Sequence, residues 1–163
     1  AIGSNCYIGH GAILRGDYGR IEIGAGTAYY VTGQPPGAWY YQVIARNDFG
    51  SGSWSTAQST GVFSGPPMLA PIENGDGDSN YQVAWDAVGG ATGYRLEEDS
   101  DPAFGSAIVR YEGAVTQFDV VGQIRGTWYY RVLAYNGGGV SPYSNTQSVS
   151  IPGLYLPLIL WSR

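Results

Sequence analysis

The chain predicts an all-β fold of the sandwich type, and three features of its sequence carry that prediction. Residues 27–62 and 116–151 repeat each other without a gap at an offset of 89, with 15 of 36 positions identical. Inside both copies apolar residues alternate. Trp39, Tyr41, Val43 and Ala45 share one face, as do Trp128, Tyr130, Val132 and Ala134, the period-two pattern of a half-buried strand. Glycine-rich turns separate these short runs, with 26 glycines in 163 residues, which is the punctuation of a sandwich rather than of a helical protein.

Composition narrows the class of function. Charged residues make up 13% of the chain, about half the usual share for a soluble domain. The surface is therefore predicted to be covered by Ser, Thr, Asn, Gln, Gly and Tyr, as in secreted β-proteins and in surfaces that pack against copies of themselves. All eight basic residues are arginine and the formal net charge is −5. Phosphate backbones need clustered Lys or Arg to displace counterions, so nucleic acid is not an expected partner, and an anionic membrane is disfavoured for the same reason. No apolar run reaches the roughly 18 residues of a membrane span. Cys6 is the only cysteine, so no disulfide forms within the chain. Ala1 reads as a processed or truncated start, and the expected location is extracellular or at the cell surface.

Residues 1–26 show a different pattern from the repeat. Ile2-Gly3, Ile8-Gly9 and Leu14 recur every six residues. The run GAILRGDYGRIEIGAGTA resembles the hexapeptide-repeat left-handed β-helix of the gamma-class carbonic anhydrases. The resemblance covers about one and a half coils, and a solenoid needs stacked neighbours to bury a core. Two readings stay open: a β-helix coil, or ordinary strands. Cys6, Ile8, Ala12 and Leu14 alternate as strand residues would, as do Ile21 and Ile23.

Residues 27–65 and 66–151 follow as an incomplete and a complete module. In the second, the strand-like WYYRVLAYN, a Gly-rich loop and SPYSNTQSVSI resemble strands F and G of a fibronectin type III domain. Trp85 in YQVAWDAV and Tyr94 in ATGYRLEED stand where that family carries its strand-B tryptophan and strand-C tyrosine. Trp128 stands at the position of its corner tyrosine. The resemblance implies a two-sheet sandwich over 66–151 and strands E, F and G over 27–65. Carried back by 89, Trp85 falls before residue 1, so the first module is expected to lack strands A and B. The predicted core residues are Trp39, Trp85, Tyr94, Trp128 and Tyr130.

Catalytic chemistry finds little support. The zinc site that the carbonic anhydrase resemblance would imply needs three fixed protein ligands, and His10 is the single histidine. A Ser-His-Asp triad would have to use the same residue and lacks a Gly-x-Ser-x-Gly elbow. Without lysine there is no P-loop or Schiff base. Arg15-Gly16-Asp17 spells an integrin-recognition tripeptide, but a three-residue match is weak. Asp76, Asp78 and Asn80 have the opening spacing of an EF-hand loop. Ala87 stands where the bidentate Glu should be, so a solvated turn is expected. Glu97, Glu98, Asp99 and Asp101 are expected to form the solvated end of a strand. Tyr40 and Tyr129, on the outward parity, could stack on sugars or pack within their sheet. No cofactor or metal is expected, and the chain reads as a non-enzyme.

The tail, residues 152–163, is strongly apolar. Leu154, Tyr155, Leu156, Leu158, Ile159, Leu160 and Trp161 together form more apolar surface than a monomer normally exposes, and they are the expected self-association residues. Such tails look like the ends of some modular secreted bacterial proteins. The sequence thus reads as a secreted structural or scaffold protein, a fibre subunit that adds a strand between copies of itself. The alternative is a binding or spacer module of a larger secreted polysaccharide-active enzyme, with carbohydrate as partner.

Overall fold

The computed structural model describes residues 11–16, 19–23 and 30–153. These are all-β. The strands are β1 (Gly11–Gly16), β2 (Gly19–Ile23), β3 (Gly37–Asn47), β4 (Gly50–Trp54), β5 (Gln58–Val62), β6 (Tyr81–Ala84), β7 (Gly93–Asp99), β8 (Ile108–Gly113), β9 (Gln117–Val120), β10 (Gly126–Asn136), β11 (Gly139–Val140) and β12 (Gln147–Ile151). The long strands β3 and β10 are the two copies of the alternating repeat.

The second repeat builds a two-sheet sandwich. One sheet runs β11-β10-β7-β8, with β12 also on β10, and the other pairs β6 with β9. Leu69 adds a bridge to Trp85. Inward-facing residues of both sheets form the core: Leu69, Tyr81, Val83, Trp85, Tyr94, Leu96, Val120, Tyr130, Val132 and Val149 are all buried. The period-two run of β10 is what permits this, since only alternate residues need to be apolar when one face meets the opposing sheet.

The first repeat builds one sheet, in the order β2-β1-β3-β4 with β5 also on β3. β1 pairs antiparallel with β2, from Ala12↔Ile23 to Gly16↔Gly19, and antiparallel with β3, from Gly11↔Arg46 to Arg15↔Gln42. This corrects the β-helix reading of residues 1–26. Successive strands of a left-handed β-helix stack in parallel, whereas β1 and β2 form a hairpin on the edge of β3. One and a half coils have no neighbouring coil to bury their apolar residues, while the β3 edge offers a ladder. Residues 30–36 carry no strand, and the counterpart of β9 begins at residue 28, outside the described residues.

Two compact units result. The first comprises residues 1–66, 88–93 and 134–142, and the second comprises 67–87, 94–133 and 143–163. Two turns of the second repeat, 88–93 and 134–142, belong to the first unit. Their glycines explain the close approach. A Cβ on Gly138 would collide with the Thr60–Gly61 peptide, with the Gly61 nitrogen 2.6 Å away. A Cβ on Gly90 would strike the Val62 carbonyl, with the Gly37 nitrogen 2.8 Å away, at a φ of +88° that favours glycine. Asn136 Nδ2 donates to the Gly90 carbonyl at 2.8 Å, and Ser64 N donates to the Gly89 carbonyl at 3.1 Å. Gly138→Ala and Gly90→Ala are each expected to destabilise the first unit by about 1–3 kcal/mol, because the obstruction is backbone and cannot swing aside. Amide exchange in β5 reports the loss. Unchanged protection of β5 would mean that the turn yields without cost.

Candidate functional site

Each long strand is entered through a corner that the repeat builds twice. In GQPPGAW, Gly33 has φ +72° and the Trp39 indole N–H donates to the Pro35 carbonyl at 2.9 Å. In GQIRGTW, Gly122 has φ +68° and the Trp128 N–H donates to the Ile124 carbonyl at 2.9 Å. The glutamine is reused as well: Gln34 Nε2 donates to the Tyr41 hydroxyl at 3.1 Å, and Gln123 Nε2 to the Tyr130 hydroxyl at 3.4 Å. Further along, the hydroxyls of Ser55 and Ser144 accept from the amides of Val43 and Val132, both at 3.0 Å. These bonds satisfy backbone and side-chain groups where the last strand splits into β4 and β5, or β11 and β12.

The two copies differ most in the later part of the inner face, although there Trp39 is buried and its counterpart Trp128 half-buried. On the outward parity of the long strands, Ile44 and its counterpart Leu133 are both buried. On the inward parity Tyr130, Val132 and Ala134 are fully buried in the second repeat. Their counterparts Tyr41 and Val43 are half-buried and Ala45 is exposed. Thr60 on β5 is exposed where Val149 on β12 is buried. The cause is architectural. The second repeat has β6 and β9 across from β10, and the described part of the first unit has one sheet. The inner face of β3 is thus an apolar face built for a second layer, and it is the candidate functional site.

What completes such a face is visible in the second unit. The Tyr81 and Tyr130 hydroxyls lie 2.8 Å apart. Tyr130 also donates to Glu98, which accepts from Gln123 Nε2 at 2.8 Å and faces Arg110 at 3.5 Å. Glu98 is 1% exposed. This corrects the expectation that Glu97, Glu98 and Asp99 end a strand in solvent: all three are buried. The parity was available in the sequence, since Glu98 follows Tyr94 and Leu96 on the inward face. Its charge concealed it, because carboxylates are seldom buried unpaired. On the outer face Glu97 holds Arg131, with Nη2 at 2.7 Å, and the guanidinium stacks between Phe104 at 4.3 Å and Tyr143 at 3.9 Å. No sequence motif marked that stack. Asp99 accepts the Ser106 amide at 2.8 Å, and that bond holds its carboxyl below the usual range.

Burial pushes the Tyr130 hydroxyl far above its ordinary value, with Glu98 adding to the effect, and burial also raises Tyr81. A folded-state pKa raised above the unfolded one gives stability that is complete below the unfolded value and lost as pH rises beyond it. Unfolded tyrosines ionise near pH 10. The second unit is therefore expected to lose stability above about pH 10, by up to about 1.4 kcal/mol per pH unit for each protonated tyrosine. Denaturant midpoints taken between pH 8 and 11 measure this. Tyr130→Phe should flatten the decline, and an equally steep slope in that variant would mean that other groups cause it.

The remaining sequence-stated residues are placed as follows. Trp39, Trp85, Tyr94 and Tyr130 are buried. Trp128 is half-buried rather than enclosed between the sheets, although it makes the same corner bond as the buried Trp39. Tyr40 is 44% exposed, as is Trp54 at 43%, and both lie on the Ile44 face, since Trp54 is the cross-strand partner of Ile44. Tyr129 is half-buried. In the acidic loop, Asp76 and Asp78 accept the amides of Asp78 and Asn80, turn-forming bonds that use up carboxylate oxygens. Among the described residues no cluster of three His, Cys, Asp or Glu side chains could hold a metal. Arg15 and Gly16 close β1. Cys6, His10, Asp17 and the tail residues Leu154, Tyr155, Leu156, Leu158, Ile159, Leu160 and Trp161 lie outside the described residues.

Comparison with known proteins gives a likeness of fold. No family model matches the chain, and no curated protein matches it. Among solved structures, an Fn3-like protein from Clostridium thermocellum is 21% identical over 56% of this chain and 96% of its own, with a TM-score of 0.46. The sixth fibronectin type III domain of human fibronectin type III domain containing protein 3 is 27% identical over 58% and 92%, also at 0.46. The FN1–FN3 domains of chicken CNTN1 are 17% identical over 90% of this chain and 56% of theirs, at 0.45.

Proposed function

We propose that this chain is a secreted, non-catalytic structural or scaffold protein whose copies join one another by strand addition into a fibre. One observation carries the reading: Tyr41, Val43 and Ala45 of the first repeat are less buried than their counterparts Tyr130, Val132 and Ala134 in the second. An apolar sheet face with one layer missing is a place for another chain. Low charge, with 13% charged residues, suits surfaces that pack against copies of themselves. An extracellular location accords with this composition. No helix of the described residues is long and apolar enough to cross a membrane.

The test is the mass of the purified chain against concentration, by light scattering after size-exclusion chromatography, with electron microscopy of the concentrated sample. Concentration-dependent growth to filaments is expected. A monomer up to millimolar concentration would end the reading. One observation favours a second reading, a carbohydrate-binding or spacer module of a larger secreted enzyme: Tyr40 and Trp54 expose aromatic surface on one sheet face. Binding of the monomer to a glycan array, weakened by Tyr40→Ala and Trp54→Ala, would select it instead.

A further inference from the structure

We infer that Asn74-Gly75 is a modification site, where the asparagine side chain deamidates spontaneously, and that the fold protects the chain's other Asn-Gly pair, Asn136-Gly137, from the same reaction. The reaction is independent of how copies associate.

The chemistry needs no catalyst. The backbone nitrogen of the residue after an asparagine attacks the side-chain Cγ. A new N–Cγ bond closes a succinimide ring, the Cγ–Nδ2 bond breaks, and the proton of the attacking amide leaves with the side-chain nitrogen as ammonia. Water then opens the ring on either side, giving aspartate or isoaspartate. The balance is asparagine and water to a carboxylate and ammonium. A glycine after the asparagine favours the attack, because no Cβ shields the nitrogen and the backbone turns freely to reach Cγ. The chain holds two such pairs, and the surroundings of each decide which reacts.

Asn136 is held at both ends of its amide. It is 9% exposed and ends β10. Its Nδ2 donates to the Gly90 carbonyl at 2.8 Å, and its Oδ1 accepts the Gly138 amide at 2.8 Å. Both bonds must break before Cγ turns to the Gly137 nitrogen, which takes local opening of the strand end. Asn74 stands in the loop before β6 and is half-buried. Its Nδ2 donates to the Asp78 carbonyl at 3.0 Å, while its Oδ1 has no hydrogen-bond partner among the described residues. Gly75 is exposed, and apart from its chain neighbours no described atom lies within 4 Å of where its Cβ would stand. The nearby Asp76-Gly77 pair is held more firmly, since the Gly77 amide donates to the Asn74 carbonyl at 3.1 Å.

The product fits the loop badly. A carboxylate oxygen in the place of Nδ2 faces the Asp78 carbonyl with no proton to give. The new charge joins Glu73, Asp76 and Asp78 in one short loop of a chain whose formal net charge is already −5. Crowded like charges and a desolvated oxygen without a donor both favour opening. The far end of this loop holds the corner that leads into β10. The Ser79 carbonyl accepts the Gln123 amide at 2.9 Å, and Asn80 Oδ1 accepts the Gly122 amide at 3.1 Å. Deamidation of Asn74 therefore loosens that corner.

The experiment incubates the full-length chain at mildly alkaline pH, folded and in urea, and maps its peptides by mass spectrometry with an isoaspartyl assay. In the folded chain the Asn74 peptide should show the mass change of amide to acid, partly as isoaspartate. The Asn136 peptide should lag about tenfold or more, since its strand must open first. In urea the two should react at similar rates. Gly75→Ala should remove most of the modification and leave the loop folded, because the added Cβ meets nothing and Gly75 stands outside the left-handed region. Asn74→Asp, the aspartyl product made directly, should speed amide exchange at Gly122 and Gln123. An Asn74 peptide that stays unchanged in the folded chain while reacting in urea overturns the inference. So does an Asn136 peptide that reacts equally fast when folded, or a Gly75→Ala chain that reacts as the parent does. Unchanged exchange at Gly122 and Gln123 in Asn74→Asp would overturn the loosening of the corner.

Discussion

Trp85→Ala is expected to cost the second unit about 3–5 kcal/mol, the range for removing a large buried aromatic. The residue is 5% exposed and packs on Tyr94 and on Tyr111, whose centroid lies 6.0 Å away. Its backbone also bridges Leu69 and bonds the Thr116 carbonyl at 3.0 Å, so the side chain sits where three segments converge. Truncation opens a cavity between sheets whose backbone cannot close in without breaking those bonds. Trp85→Phe should cost far less than this. The indole Nε1 is buried with no hydrogen-bond partner among the described residues, and an unsatisfied buried donor costs about 1–3 kcal/mol. Phenylalanine removes that penalty while keeping most of the ring contacts, which offsets part of the lost area. Urea midpoints followed by circular dichroism measure both. An alanine variant that loses less than about 1 kcal/mol would mean that the two sheets are not tightly closed over this residue.

Much of this was legible from alternation and repetition. The parity of Trp39-Tyr41-Val43-Ala45 and Trp128-Tyr130-Val132-Ala134 placed both long strands, and the offset of 89 located the glycine corners. Pattern could not say which copy would be covered, because Tyr41 and Tyr130 sit in nearly identical runs, WYYQV and WYYRV, and differ in what lies opposite. Burial there depends on which described residues lie opposite rather than on the strand itself. The same blindness misplaced Glu98, whose partners Arg110, Gln123 and Tyr130 come from three separate segments. Trp128 misled as well: it makes the same corner bond as Trp39 yet is half-buried where Trp39 is enclosed. Residues 1–26 looked like a solenoid because the six-residue recurrence of Ile2, Ile8 and Leu14 also satisfies a period of two, and for residues 11–15 a strand edge was available.

Glu98→Ala is expected to cost the second unit about 3–5 kcal/mol, although a carboxylate would ordinarily contribute little to a hydrophobic interior. The magnitude comes from what remains behind. Removing one member of a buried charged network leaves its partners desolvated and short of an acceptor, here the Tyr130 hydroxyl, which keeps only Tyr81 and Gln123, the Gln123 amide and, less severely, Arg110, whose side chain is 28% exposed and partly screened. Tyr130→Phe alone should cost less, because Glu98 keeps Gln123 and Arg110, and Tyr81 loses a single partner. The two losses should therefore not add. In a double-mutant cycle the pair Glu98→Ala and Tyr130→Phe should cost less than the sum of the single changes, with a coupling of about 0.5–3 kcal/mol, since the phenylalanine no longer strands a hydroxyl beside the missing carboxylate. Glu98→Gln should fall between wild type and alanine: it keeps the side chain's shape and one acceptor oxygen but aims an amide donor at other donors. Additive single and double losses would show that Glu98 and Tyr130 act independently, and the network described around the short Tyr130–Glu98 bond would then have no energetic meaning.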